Sequence, residues 1–314
     1  MTSVDSFQSN LEERDGKIIG PWRQPRQMLA EQTYEGHASI HDDATAQKLG
    51  FSGGTIEGPT HFSQFVPLGV AAFGPEFLSK GCLSAHYRAP VFEGERVRAI
   101  LQKSDSGDHA EIRMERDDET EILVGSASMH GTSTPTALEA RLETLRPLEQ
   151  PVILRDVKVG DKSSRITVRM DMDQHMGDLY PFSLATKLKV ITEPSPLYQN
   201  ENAIIPFEMI SVLLNHVARE GAYRTRGPAV GLFADQEIKV YDGPLLVGHD
   251  YEIEREIIAF SGSRRTESMW VKTRVFEPGS NDVIAHMLLN TATLKASYEA
   301  YEQEFAELYG NQGE

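Results

Sequence analysis

An apolar helix-like stretch followed by four runs of two-residue alternation occurs twice in this chain, and that order constrains the fold more than any other feature. In the first copy, Gly53 to Gly74 reads GGTIEGPTHFSQFVPLGVAAFG, a Gly-rich turn feeding a helix whose buried surface comes from Phe62, Phe65, Val66, Val70 and Phe73. Pro67 is expected to bend or divide that helix, because proline removes an N–H and crowds the preceding turn. The runs GCLSAHYRAPVF, ERVRAILQKS, HAEIRMER and EILVGSASMHG follow, broken by turn-forming residues, and predict an antiparallel meander.

In the second copy Pro206 opens PFEMISVLLNHVAREGA, where Ile210, Leu213, Leu214, Val217 and Gly221 keep helical spacing and Glu208 complements the N-terminal dipole. Four more alternating runs follow: AVGLFADQEIKVY, DYEIEREIIAF, ESMWVKTRVF and VIAHMLLNTATLKA. Pro90-Val91-Phe92-Glu93-Gly94 and Pro244-Leu245-Leu246-Val247-Gly248 share Pro-apolar-apolar-x-Gly, 154 positions apart and at equivalent points after each helix. Matching order and matching turns together predict a tandem duplication.

A chain of 314 residues has room for two cores. The expected division is a first domain over 1–135, a linker over 136–152 whose prolines bracket a short charged helix-like piece, and a second domain over 153–314. The acidic tail after Ser297 reads as a short surface helix. One long helix preceding a strongly twisted antiparallel sheet, twice, predicts an α+β architecture in which each sheet curls around its helix.

Charge narrows the function classes. Against 47 Asp and Glu stand 31 Lys and Arg, a net charge of −16 that repels phosphate backbones and anionic membrane surfaces, so neither nucleic acid nor membrane is an expected partner. The single cysteine, Cys82, excludes an intrachain disulfide framework and reads as a small buried strand residue. With no basic-then-apolar leader in the given N-terminus and no run of 18 apolar residues, the expected location is cytoplasmic. The sequence contains no GxGxxG, GxxxxGK[ST], HExxH or GxSxG, which removes the common redox, phosphoryl-transfer and hydrolase readings.

The run Gly50-Phe51-Ser52-Gly53-Gly54-Thr55-Ile56-Glu57-Gly58 and the run Ala89-Pro90-Val91-Phe92-Glu93-Gly94-Glu95, set around a sheet-wrapped helix, resemble the MaoC-like hydratase branch of the hotdog superfamily, most clearly from Gly36 to about Gln102. The resemblance implies a double hotdog, two tandem antiparallel sheets each wrapped around a central helix, with the second copy diverged. It further implies a hydro-lyase that adds water to, or removes it from, an enoyl or 3-hydroxyacyl thioester or a related small unsaturated substrate. A coenzyme A thioester is one form of that small-molecule substrate, no cofactor is implied, and a homodimer is among the implied assemblies. The family signature Gly-Asp-x-Asn-Pro-x-His is matched here by Gly36-His37-Ala38-Ser39-Ile40-His41, one residue shorter, without Asn-Pro and with His37 near the aspartate position.

Hydration requires a base for the water proton, an acid for the α-carbon, and donors for the enolate oxygen beside the thioester. His41 is the first candidate for base or acid because imidazole titrates near neutrality; the competing reading is a hydrogen-bonded loop histidine. His37 lies one helical turn earlier, and Asp42 is placed to orient an imidazole or act directly. A metal site from His37, His41 and Asp42 lacks a secured further ligand, and no metal is expected. Glu57, before the helix glycine, reads equally as a base or a cap. Gly54, Gly58, Thr60, His61 and Gln64 are expected to form the substrate-binding surface, with free N–H groups at Gly58 and Thr60 facing a developing anion. His216 reads as a satisfied half-buried histidine. Two alternatives stay open: a hotdog thioesterase using Glu57 or Asp42 to activate water, and a non-catalytic acyl-binding protein.

Overall fold

The structure is a computed structural model that describes residues 7–34, 37–105, 107–218 and 223–310. In the first half, the strands are β1 (Glu12–Arg14), β2 (Lys17–Ile19), β3 (Thr33–Tyr34), β4 (His37–Ala38), β5 (Gly81–Tyr87), β6 (Val97–Lys103), β7 (His109–Arg116) and β8 (Glu121–Met129). Its helices are α1 (Asp43–Lys48), α2 (Phe62–Phe73) and α3 (Phe77–Lys80), with a 3-10 turn over Gly58–His61 leading into α2. After the linker helix α4 (Ala137–Leu142) come β9 (Ile166–Arg169), α5 (Leu184–Leu188), α6 (Phe207–Asn215), β10 (Gly231–Val240), β11 (Asp250–Gly262), β12 (Thr266–Phe276), β13 (Val283–Leu294) and α7 (Tyr301–Tyr309).

All eight alternating runs are strands, and the pattern on β7, where exposed or half-buried residues alternate with Ala110, Ile112 and Met114, shows why. A period of two places every second side chain on the core face. Five short paired strands, β1 to β4 and β9, escaped the reading of the sequence. The hairpin β1–β2 turns on Asp15-Gly16, both with positive φ (52° and 73°), so the Asp-Gly pair between Glu12 and Ile19 was the available signal. The pair β3–β4 stands apart from the large sheet, and β9 is short and pairs only at the sheet edge with β11.

Numbering each half's five main strands in chain order (β2, β5, β6, β7, β8; then β9, β10, β11, β12, β13), the spatial order in both is first, third, fourth, fifth, second. The duplication is thus visible in topology. The two sheets do not stay separate: β5 and β10 pair antiparallel, from Asp235 opposite His86 to Lys239 opposite Cys82, and fuse the halves into one sheet of 11 strands. The expected pair of cores is likewise merged, because the largest apolar cluster runs from Phe62 and Leu83 through Leu213 and Ile238. Phe77 stacks on Phe207 at 5.8 Å between ring centroids, joining the helical layers of the two halves.

Helix α2 is buried along Phe62–Val70, packed against the sheet on one side and α6 on the other. Each large apolar side chain buried this way contributes about 2 kcal/mol relative to exposure. Of the two outcomes expected at Pro67, division of the helix does not occur: α2 continues through it, held by the interior of the molecule on both sides. Helix α6 stops at Asn215, so Val217 packs from a turn rather than from the helix, and Gly221 lies outside the described residues.

The linker helix α4 is clamped, not loose. Thr136 and Glu139 form a capping box, the N–H groups of Ala137 and Leu138 donate to Ser126 Oγ (2.9 Å) and Ser84 Oγ (3.0 Å), and Arg141 pairs with buried Asp235 at 2.9 Å. These bonds lay α4 across β8, β5 and β10 on the sheet face opposite α2 and α6, over the junction of the two halves.

Candidate functional site

The loop bearing His41 is held by short, local contacts. Asp42 caps α1, its Oδ1 accepting from the Thr45 N–H and Thr45 Oγ1 at 2.8 Å each, and Asp43 Oδ1 accepts from the Gly54 N–H at 2.7 Å. A Cβ on Gly54 would stand 2.2 Å from the His41 carbonyl oxygen, so only glycine allows the two segments to meet. Gln27 Nε2 donates to the Thr55 carbonyl at 2.6 Å and to the His41 carbonyl at 3.2 Å, tying both strands of this contact together.

His41 Nδ1 lies 2.6 Å from the Thr55 carbonyl oxygen. A carbonyl only accepts, so Nδ1 carries the proton and Nε2 keeps its lone pair, with no hydrogen-bond partner among the described residues. Burial pushes the imidazole pKa down to about 4 against a smaller opposing effect of the Thr55 bond, so His41 is a neutral ring at physiological pH.

Two residues past Thr55 the chain enters a buried polar cluster. Glu57, the residue directly before the 3-10 segment, accepts from Thr60 Oγ1 at 3.4 Å, and Lys187 Nζ donates to Thr60 Oγ1 at 3.0 Å. The same ammonium stands 3.9 Å from Glu57 Oε1 and 3.4 Å from Glu208 Oε2. All four residues are buried. Burial raises the Glu57 carboxyl, and raises Glu208 to about 7; in both the Lys187 charge acts against burial without overcoming it. His61 is pushed down to about 3 by burial first and by Lys187 second. His61 Nδ1 and both polar atoms of the Gln64 amide are buried without a hydrogen-bond partner among the described residues. Groups left so each cost about 1–3 kcal/mol.

Gly58 starts the 3-10 turn under the ring of Tyr87, where a Cβ would lie 2.6 Å from the ring. Tyr87 is fixed by donating to Gln236 Oε1 at 3.0 Å, and Gln236 Nε2 donates to Ser211 Oγ of α6 at 2.8 Å. The Thr60 N–H donates to the Glu57 carbonyl at 3.2 Å, so it is not the free donor expected from the sequence, and Gly58 alone of the two has no backbone hydrogen bond from its N–H among the described residues.

The duplication lets the two halves be compared position by position. The Ile56 N–H donates to the Val91 carbonyl and the Ile205 N–H to the Leu245 carbonyl, both at 2.8 Å, while bridges join Thr55 to Phe92 and Ile204 to Leu246. On this alignment Glu57 and Gly58 correspond to Pro206 and Phe207. Asp42 and Ser183 are the N-caps of α1 and α5, which makes Phe182 the counterpart of His41. At these positions the second half carries Phe182, Pro206 and Phe207, none of which titrates.

The structure brings Glu57 and Thr60 together, sets His61 within reach of the Lys187 charge, buries Gln64 on α2 without a polar partner among the described residues, and joins His41 to Gly54 and Thr55. It does not turn Asp42 toward an imidazole: its carboxylate is spent on the cap. The Gly54 N–H is likewise spent on Asp43, so Gly54 shapes the loop and offers no donor to a ligand. His37 enters β4 opposite Tyr34, and its side chain lies outside the described residues. His216 bonds the Leu213 carbonyl at 2.9 Å, as a satisfied histidine does. Among the described residues no group of three or more His, Cys, Asp or Glu could hold a metal ion. Reading the sequence missed Lys187, which carried no local signal, and assigned Glu208 only to the helix dipole.

The strand order and the central helix of each half define the chain as a double hotdog. No family model matches it, and no curated protein matches it. Among solved structures it is similar to a MaoC-like dehydratase at 13% identity and TM-score 0.48, covering 90% of this chain and 97% of that one. A putative MaoC domain protein dehydratase from Chloroflexus aurantiacus gives 12% identity and TM-score 0.48, with 92% and 94% covered. A conserved hypothetical double-hotdog protein from Mycobacterium tuberculosis gives 10% identity and TM-score 0.48, with 94% and 98% covered.

Proposed function

We propose that the chain is a hydro-lyase acting on a small enoyl or 3-hydroxyacyl thioester, with His41 as its base. The observation that carries this reading is the imidazole held by Thr55 through Nδ1 and neutral at physiological pH, which leaves Nε2 free to take a proton. In the hydration direction Nε2 removes a proton from water as the water oxygen bonds to the β-carbon. The electron pair of the double bond moves toward the thioester carbonyl, whose oxygen becomes an enolate with the Gly58 N–H at the helix start as its proposed donor.

A proton must then reach the α-carbon. Glu57 is the candidate donor, because burial favours its protonated form, and solvent exchange afterwards returns the proton from His41 to the carboxylate. Dehydration runs the same steps backwards. Phe182 and Pro206 at the equivalent positions support a single site per chain.

A coenzyme A thioester is the proposed form of the substrate, and a second copy of the chain a proposed partner. The net charge of −16 disfavours nucleic acid, no helix among the described residues is long and apolar enough to cross a membrane, and a cytoplasmic location is part of this proposal. The test is loss of enoyl-thioester absorbance on adding the protein, compared with His41→Asn. Turnover that H41N abolishes supports the reading. Release of free thiol without hydration would replace it with a thioesterase, and stabilisation by acyl thioesters without turnover would replace it with an acyl-binding protein.

A further inference from the structure

On the sheet face opposite the central helices lies a pocket of about 300 Å³ that the proposed reaction does not use, lined by His130, Tyr241, Lys272, Arg274, Val283 and His286. Strand register explains the grouping. Arg274 and Lys239 both stand opposite His286, and Lys272 lies two residues before Arg274, so alternate residues of β10, β12 and β13 point to one face.

The electrostatics of the lining are one-sided. No carboxylate lines the pocket, and the acidic groups around it are already engaged. Glu237 lies beneath His286, which it holds through Nε2 at 3.0 Å, and it also accepts from Thr136 Oγ1. Glu256 takes Arg274 Nη1 at 2.7 Å and Lys162 at 3.6 Å, and Glu139 takes Lys239 at 3.4 Å. Lys272 forms no ion pair among the described residues, although it is half-buried, and burial pulls its pKa down. His286 accepts from the Tyr241 hydroxyl at Nδ1 (2.6 Å), and Tyr241 meets His130 edge-on at 5.0 Å, so the aromatic wall is fixed.

We propose that this pocket binds the phosphoryl group of a small ligand. A partly desolvated ammonium that forms no ion pair, with Glu237 and Glu139 acting on it only from beyond ion-pair distance, gains from an anion at contact, and a tetrahedral dianion can use Lys272, the remaining donors of Arg274 and His130 together. The net charge of −16 repels a polyanion at long range, so the ligand is a small molecule and not a nucleic acid. This site is independent of His41.

The experiment is a titration of the whole protein with inorganic phosphate, followed by phosphorus NMR and calorimetry, with chloride replaced to hold ionic strength constant. Saturable binding that Lys272→Met weakens about tenfold or more supports the proposal, the loss of one charge-assisted contact being of that size. The wild-type titration decides even if K272M does not fold: no saturable change at millimolar phosphate overturns the site. Equal binding of acetate overturns its phosphoryl character, and unchanged phosphate binding by a folded K272M overturns its location.

Discussion

Lys187 Nζ donates to Thr60 Oγ1 at 3.0 Å across 127 positions of sequence, and through this bond the second half of the chain reaches the helix start of the first. The ammonium also stands between Glu57 and Glu208, so one cation from α5 holds two buried carboxyl groups from different halves. Removing one member of such a cluster leaves the others desolvated and uncompensated.

Lys187→Met is therefore expected to destabilise the protein by about 3–5 kcal/mol, read from the urea midpoint at constant m-value. Adding Glu57→Gln and Glu208→Gln to K187M should restore a large part of that loss, since the uncompensated groups are then neutral. A midpoint for K187M equal to wild type would show that the cluster holds nothing together.

His41→Asn is expected to lower kcat/KM for an enoyl thioester by about 10²–10⁴, the range a positioned general base supplies. With its pKa near 4, the base form of His41 persists through the range where an ordinary histidine protonates. The His41-dependent limb of kcat/KM should stay flat between pH 7 and pH 5.5 and fall only toward pH 4. A limb centred near pH 6.5 would assign the base to another group.

His61 makes a stability prediction of definite sign. Its pKa is about 3 in the folded protein and about 6.5 when unfolded, so between these values the unfolded chain binds the extra proton and stability falls as pH falls. From pH 7 to pH 5 this site costs the wild type about 2 kcal/mol, at 1.36 kcal/mol per unit below 6.5. His61→Asn should lose that share of the acid sensitivity, seen as a shallower fall of unfolding free energy over the same interval. Parallel curves for the two proteins would refute the assignment.

Gly54→Ala places a Cβ 2.2 Å from the His41 carbonyl oxygen, which forces the two loop segments apart. The expected cost is about 1–3 kcal/mol of stability, as for overpacking elsewhere. Displacing the imidazole should also lower turnover about 10²-fold, because misplacement by an ångström has effects of that size. Retained activity with lowered Tm would separate the fold of the loop from the chemistry.

Much of the architecture was legible because it depends on local periodicity. Two-residue alternation marked all eight long strands, the apolar spacing marked α2 and α6, and the Pro-apolar-apolar-x-Gly turns marked the duplication, with Gly94 and Gly248 both at positive φ. His41 was singled out from its neighbours in sequence. Its working partner, the Thr55 carbonyl, was not, because every residue has a carbonyl and composition says nothing about which one an imidazole meets.

By itself the sequence determined which long segments become strand or helix and that their order repeats, whereas the pairing of Phe182 and Pro206 with His41 and Glu57 came from the bridges and helix caps of the folded chain. Only the tertiary structure decided that β5 and β10 join the two sheets, that α4 is clamped across that junction, and that Lys187 enters the cluster around Glu57. The physical reason is range. Backbone periodicity and capping act within a few residues, whereas burial, which sets the charge of His41, His61, Glu57 and Glu208, belongs to no segment until distant segments close over it.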